Sequence, residues 1–231
     1  MPAPTAVTSV DLVEGTGNRS FSAVTTQAGD YLVVGIQVED GASSASFVPS
    51  ATGVTFPGSA NVDSGTANGN SRGRAIIWVG SDSAGGSRSV TITATAGHNY
   101  RARVTVVRGS TGPSGTGASA TAQTVSVTRT GNNSMVFMGV TDWSTGAVGS
   151  PVWTPGGSTT ASQQGSAATY IFGRWDDSGS SGTASHGISS PSYTTPSVAA
   201  LEMLGTAGGA TVIPAKAVVV PSLAATQAGS W

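Results

Sequence analysis

Gly29-Asp30-Tyr31-Leu32-Val33-Val34-Gly35-Ile36-Gln37-Val38-Glu39-Asp40 is a stretch that the chain writes twice. It returns as Gly131-Asn132-Asn133-Ser134-Met135-Val136-Phe137-Met138-Gly139-Val140-Thr141-Asp142-Trp143. Each copy leads through loop-rich sequence to a second apolar run closed by acidic residues. These runs are Ala75-Ile76-Ile77-Trp78-Val79-Gly80-Ser81-Asp82 and Thr169-Tyr170-Ile171-Phe172-Gly173-Arg174-Trp175-Asp176-Asp177. Each half then ends on one more strand-like run and a Gly, Val104 to Gly109 and Ala199 to Gly205. A repeat of roughly 100 residues is too long for a solenoid. The expectation is two similar sheets, or interleaved halves, packed into one all-β antiparallel sandwich. It spans residues 1–206, with pseudo-repeats at about 20–109 and 120–205.

Outward from the repeat, apolar runs arrive at short intervals between Gly, Ser, Asn and Pro clusters, the spacing of a sandwich or barrel. Strands are expected over Ala6–Glu14, Ser20–Thr25, Tyr31–Glu39, Gly53–Phe56, Arg74–Val79, Ser89–Thr95 and Arg101–Arg108. In the second half they are expected over Thr121–Thr128, Ser134–Asp142, Ala167–Trp175, His186–Ser189 and Ser197–Leu204. Ala102-Arg103-Val104-Thr105-Val106 alternates, so every second residue can face a core while its neighbours face water. Tyr31 to Ile36 and Met135 to Val140 are apolar on both faces, which suits central strands or strands whose outer face is covered. Ala84-Gly85-Gly86-Ser87 and Asp177 to Gly182 read as turns. Trp78 and Trp175 occupy matching places in the two copies and are expected in the core.

Composition narrows the function. Charged residues are 9% of the 231 and net charge is −1, against ~25% charged in an ordinary domain. The ten basic residues are scattered singly, so nothing supplies the stripe that binding nucleic acid requires. Cysteine is absent, which removes disulfides and thiol chemistry. The N-terminus lacks a basic n-region and an apolar h-region, so no secretory signal is expected. No apolar run approaches the ~20 residues of a membrane-spanning helix.

Catalytic signatures are missing as well. The two histidines, His98 and His186, stand beside turn-like residues and form no spaced metal pair, so both are read as solvent-exposed turn residues. There is no Gly-x-Ser-x-Gly elbow, no phosphate loop and no D-x-D-x-D-G calcium loop. Glu39-Asp40 and Asp176-Asp177 sit at strand ends, where carboxylates close turns by accepting backbone N–H bonds. The expectation is a non-enzyme with no cofactor and no metal. Trp143 and Trp153 flank the loop Ser144 to Pro151. For this pair a stacking platform for host glycan and core packing are both open.

Residues 207–231 match neither half. This arm carries Ile213, Val218, Val219, Val220, Leu223 and Trp231, punctuated by Pro214 and Pro221. Proline disfavours a central strand, and an apolar arm of this kind reads as a docking segment onto another chain.

The succession Gly29-Asp30-Tyr31-Leu32-Val33-Val34, Arg74-Ala75-Ile76-Ile77-Trp78, Val90-Thr91-Ile92-Thr93 and Val106-Val107-Arg108-Gly109 resembles jelly-roll-like virion domains of tailed bacteriophages infecting actinobacteria. The second half, ending Ser197-Val198-Ala199-Ala200-Leu201-Glu202-Met203, fits the same pattern. The resemblance covers roughly Thr5 to Gly205. It implies a structural virion role as a minor tail or capsid-decoration protein, assembled in the host cytoplasm. Other virion proteins are the implied partners, with a homo-oligomer, taken as a trimer. The alternative from a different class is a carbohydrate-binding or adhesive module of a bacterial surface or secreted protein.

Overall fold

The computed structural model describes residues 3–39, 45–65, 73–114, 117–143, 149–164, 168–176 and 180–206. Among them there is no helix. Strands are numbered β1 to β20 along the chain, and all of their pairings are antiparallel.

The expected duplication is present as two sets of sheets. In the first half β1 (Thr5–Gly15), β11 (Tyr100–Arg108), β4 (Asp30–Val38), β8 (Arg74–Asp82) and β6 (Val54–Thr55) lie side by side, with β7 (Val62–Asp63) also on β8. A small sheet of β2 (Arg19–Ser20), β10 (Thr91–Ala94) and β5 (Phe47–Ser50) belongs to the same half, as does the ribbon of β3 (Val24–Gln27) and β9 (Gly85–Arg88). The second half repeats the plan. Its large sheet orders β12 (Ser110–Pro113), β20 (Pro196–Gly205), β15 (Met135–Asp142), β18 (Thr169–Trp175) and β17 (Ser158–Gln164), with β13 (Ala118–Ala120) also on β20. Its small sheet orders β14 (Thr124–Arg129), β19 (Gly182–Ser190) and β16 (Val152–Thr154). The halves do not interleave, because each hydrogen-bonded sheet is drawn from one half alone.

Register makes the correspondence residue by residue. Val34 pairs with Trp78 across β4 and β8, and Val136 pairs with Trp175 across β15 and β18. Both tryptophans are 4% exposed, so the matching core positions expected for them are real. Because side chains alternate faces, Leu32, Val34, Ile36 and Val38 pack with Trp78, Ile92, Phe47 and Tyr100 in a core internal to the first half. Val136, Met138 and Val140 pack with Trp175, Trp153 and Ile188 in the second. The opposite faces form a third core: Val33, Ala75, Ile77, Val79 and Val107 meet Met135, Phe137, Ala199, Leu201 and Met203. That contact explains why β4 and β15 are apolar on both faces. β8 lies over β20 and β4 over β15, so the large sheets of the two halves face each other.

Two expectations change. Gly85 to Arg88 is a strand paired with Val24–Gln27, although both glycines have positive φ and so resemble turn residues in sequence. The neighbours of the core residues in β11 also do not all face water. Arg101 and Thr105 are buried, because the second half covers that face of the sheet.

Candidate functional site

Trp143 and Trp153 part company. Trp143 follows β15 and is 37% exposed. Trp153 sits in β16 and is buried. Its indole N–H donates to Thr159 Oγ1 at 2.8 Å, and its ring meets Trp175 edge-on at 5.2 Å. The indole also occupies the space above Gly173, where an added Cβ would lie 2.2 Å from a ring carbon. A two-tryptophan sugar platform is therefore not formed, since Trp153 spends its ring on the core. The signal was there in Val152-Trp153-Thr154, whose exposure alternates with period two, but a three-residue strand is too short to be read from periodicity.

His186 is the second correction. Rather than lying in an exposed turn it sits inside β19, fully buried, edge-on to Trp175 at 4.8 Å. Its Nδ1 lies 3.1 Å from Ala184 O, while Nε2 has no hydrogen-bond partner. Burial, the largest influence, pushes its pKa below the usual imidazole value; the Ala184 carbonyl opposes this and the Arg129 charge reinforces it. Its described contacts are the Trp175 ring and the Ala184 carbonyl, neither of them a nucleophile that an imidazole could activate. His98 lies in the segment leading into β11.

The carboxylates hold turns and strand ends, as expected of them. Asp82 accepts from Arg88 Nε at 2.6 Å, Thr26 Oγ1 at 2.6 Å and the Gly85 amide at 2.8 Å. The Arg88 guanidinium keeps the Asp82 carboxyl well below the usual carboxylate range against the opposing effect of burial, with Thr26 and the Gly85 and Ala84 amides adding to the lowering. Asp30 binds Arg108 through both oxygens, and Asp63 does the same with Arg74. Glu39 accepts from the Asn99 amide and side chain, latching the entry to β11; Asp142 accepts from Thr195 N and Oγ1, latching the entry to β20. Asp40 and Asp177 lie outside the described residues, as does the whole arm with Ile213, Val218, Val219, Val220, Leu223 and Trp231. Among the described residues, no three His, Asp or Glu side chains cluster as metal ligands would.

One hollow was not legible in the sequence. A cleft of about 330 Å³ opens beside β5 and β8, lined by Ser46, Phe47, Ser59, Asp63, Arg74 and Trp78 among others. The Asp63–Arg74 pair forms its charged wall, and Trp78 Nε1 is buried there without a hydrogen-bond partner. Its size is at the lower end of small-ligand sites. It offers polar groups but no exposed aromatic face for stacking. Compared with protein-family models, with curated proteins and with solved structures, the chain matches none.

Proposed function

We propose that this chain is a non-enzymatic structural protein of a tailed-phage virion, a minor tail or capsid-decoration protein. In this reading the duplicated sandwich is of jelly-roll type, works as a homo-oligomer among other virion proteins and is assembled in the host cytoplasm. One observation carries the reading: the acidic side chains buried in the described structure are committed to bonds that hold strand ends and turns. Asp82, Asp30, Glu39, Asp142 and Glu202 each accept two or more hydrogen bonds from fixed neighbours. Among the described residues these five carboxylates are thereby engaged, whereas glycoside hydrolysis needs two facing a common cleft. A weakly charged body suits dense packing in a particle, where self-repulsion would otherwise accumulate.

The test is mass spectrometry and immunogold labelling of particles purified from cells that carry the gene. Incorporation at fixed stoichiometry supports the proposal, and absence from intact particles refutes it. Truncation after Thr206 addresses the arm. All three cores are built from residues between Leu12 and Met203, so the shortened chain should unfold cooperatively and fail to incorporate.

A second reading, glycan adhesion, is favoured by Trp143, a half-exposed indole at the end of a central strand. Glycan-array binding lost in Trp143→Ala but kept in Trp153→Phe would place adhesion ahead of a purely structural role. An array without binding removes it.

A further inference from the structure

The two copies treat one place in the fold differently. Val62 of β7 pairs with Ile77, and Ser158 of β17 pairs with Arg174, each beside the core tryptophan of its own half. Val62 and Ser158 therefore correspond, and so do the segments that precede them, residues 59–61 and 155–157. In the second half this segment closes on the tryptophan. The Trp175 indole N–H donates to the Pro155 carbonyl, and a Cβ added at Gly157 would lie 2.5 Å from the Trp175 ring. In the first half the segment stands back. Ser59 is exposed, and the cleft of about 330 Å³ beside β5 and β8 is lined by both Ser59 and Trp78. The hollow is not a by-product of the repeated fold, because the other copy fills it.

Its walls have a definite chemistry. Arg74 Nε donates to Asp63 Oδ1 at 2.8 Å and Arg74 Nη2 donates to Asp63 Oδ2. The pair is neutral as a unit, so a lone anion or cation finds no net charge to meet it. Both partners stay in reach of solvent, the Arg74 side chain at 13% exposure and the Asp63 side chain at 30%.

Neither partner is saturated. A guanidinium has five N–H donors; one goes to Ala45 O and two to Asp63, which leaves two. A carboxylate has about four lone-pair positions; the Gly65 amide takes one and Arg74 two, which leaves one. Ser46 and Ser59 add exposed hydroxyls to the lining. Phe47, Ile76 and Trp78 are buried and supply its apolar part.

Donors and acceptors side by side, without net charge, are the complement of hydroxyl groups, each of which gives one hydrogen bond and accepts others. Two hydroxyls on adjacent carbons can donate to Asp63 and accept from Arg74 together. The volume, at the lower end for small-ligand sites, suits a single sugar ring.

We propose that this cleft binds a neutral, polyhydroxylated ligand of monosaccharide size, held by Asp63, Arg74, Ser46 and Ser59. The hold is by hydrogen bonds rather than by stacking, since the aromatic residues of the lining are buried. The site lies in the first half, apart from Trp143, and its failure leaves the virion reading untouched.

The experiment titrates the full chain with methyl glycosides of neutral hexoses and pentoses while amide proton–nitrogen NMR spectra are recorded. At least one glycoside should shift the Ser46, Ser59 and Gly65 amides saturably. A Kd on the order of 1 mM is expected for a ligand of about a dozen non-hydrogen atoms held without stacking. Ser59→Leu fills the cleft from an exposed position and should abolish the saturable shifts, whereas Trp143→Ala should bind like wild type. A glycoside that binds alone identifies a free monosaccharide as the ligand. One that also binds as the terminal unit of a disaccharide identifies a glycan end. No saturable shift with any glycoside, equal binding by Ser59→Leu, or a saturable response to sodium acetate in place of the sugars overturns the proposal. Should Ser59→Leu fail to fold, the wild-type map decides. Shifts centred on Ser46, Ser59 and Gly65 support the cleft, and shifts centred elsewhere refute it.

Discussion

Glu202 offers the sharpest test of how the second half is held together. Its carboxylate, 1% exposed, accepts from Thr130 N at 2.9 Å, Thr130 Oγ1 at 3.2 Å, Gly131 N at 3.2 Å and Ser134 Oγ at 2.5 Å. It thereby pins the turn before β15 to β20. Because Val34 and Val136 correspond, its counterpart in the first half is Val104, which is fully buried. Glu202→Ala removes the acceptor and leaves a small hole. Leaving a buried donor unsatisfied costs about 1–3 kcal/mol. Thr130 is exposed, so water re-satisfies part of the loss, and the net destabilisation expected is about 2–4 kcal/mol. With roughly 2–4 °C per kcal/mol for a chain of this size, Tm should fall by about 5–15 °C. Glu202→Gln keeps the shape and one acceptor oxygen but turns an N–H₂ toward a donor, and should cost about half as much. Urea unfolding monitored by tryptophan fluorescence, with m unchanged, is the assay. The reasoning fails if Glu202→Ala lies within 0.5 kcal/mol of wild type, or if Glu202→Gln is the worse of the two.

Gly173→Ala should destabilise by about 1–3 kcal/mol, because the added Cβ meets the Trp153 ring at 2.2 Å; near-ultraviolet circular dichroism should report a changed tryptophan signal, and an unchanged spectrum with unchanged stability would contradict the packing described. His186 has its pKa depressed by burial, so the unfolded chain binds a proton more readily than the folded one. Stability is then fully present above the ordinary value of about 6.5 and declines as pH falls below it; His186→Gln should flatten that decline, and equal slopes for both proteins would refute the assignment. Asp82, its pKa lowered chiefly by Arg88, contributes stability that is present above about pH 4 and lost on further acidification; acid titration of Asp82→Asn should show a smaller loss than wild type over that window.

What the chain reveals on reading depends on how far its signals lie from their consequences. The strands of the large sheets are legible because Leu32 to Val38 and Met135 to Val140 are long, apolar and repeated. The sandwich follows from them, and so does the placement of Trp78 and Trp175. Trp153 is left open by the sequence because its place is decided across the sheet by a residue with no side chain, Gly173. His186 is misread because Ser185-His186-Gly187 is polar and small, while its neighbours arrive from β18 and from pairing with Val125. Arg101 and Arg103 look like the wet side of an alternating strand. Only the second half's position makes that side an interior.

The pattern of agreement and divergence between the halves has a physical order. Toward its own small sheet, each large sheet keeps matching residues at several positions, Val34 with Val136, Trp78 with Trp175 and Ala102 with Ala200, although Glu202 stands where the first half has Val104. Toward the other half, it does not. Gly35 corresponds to Phe137, Gln37 to Gly139, Arg101 to Ala199 and Arg103 to Leu201. In a symmetric dimer a residue near the dyad faces its own copy and must complement itself. When both halves lie on one chain that demand disappears. Gln37 can then extend over Gly139, where an added Cβ would come within 3.2 Å of its Nε2, and donate to the Ile171 carbonyl across the interface. Phe172 likewise fills the space above Gly35, at a distance where a Cβ would intrude to 2.8 Å. The first arrangement could not be made by two identical faces, because Gln37 and Gly139 occupy corresponding positions. The internal cores are thus largely the duplicated part of the design, whereas the surface between the halves is free to specialise, and it is there that Arg101 and Arg103 stand in place of Ala199 and Leu201.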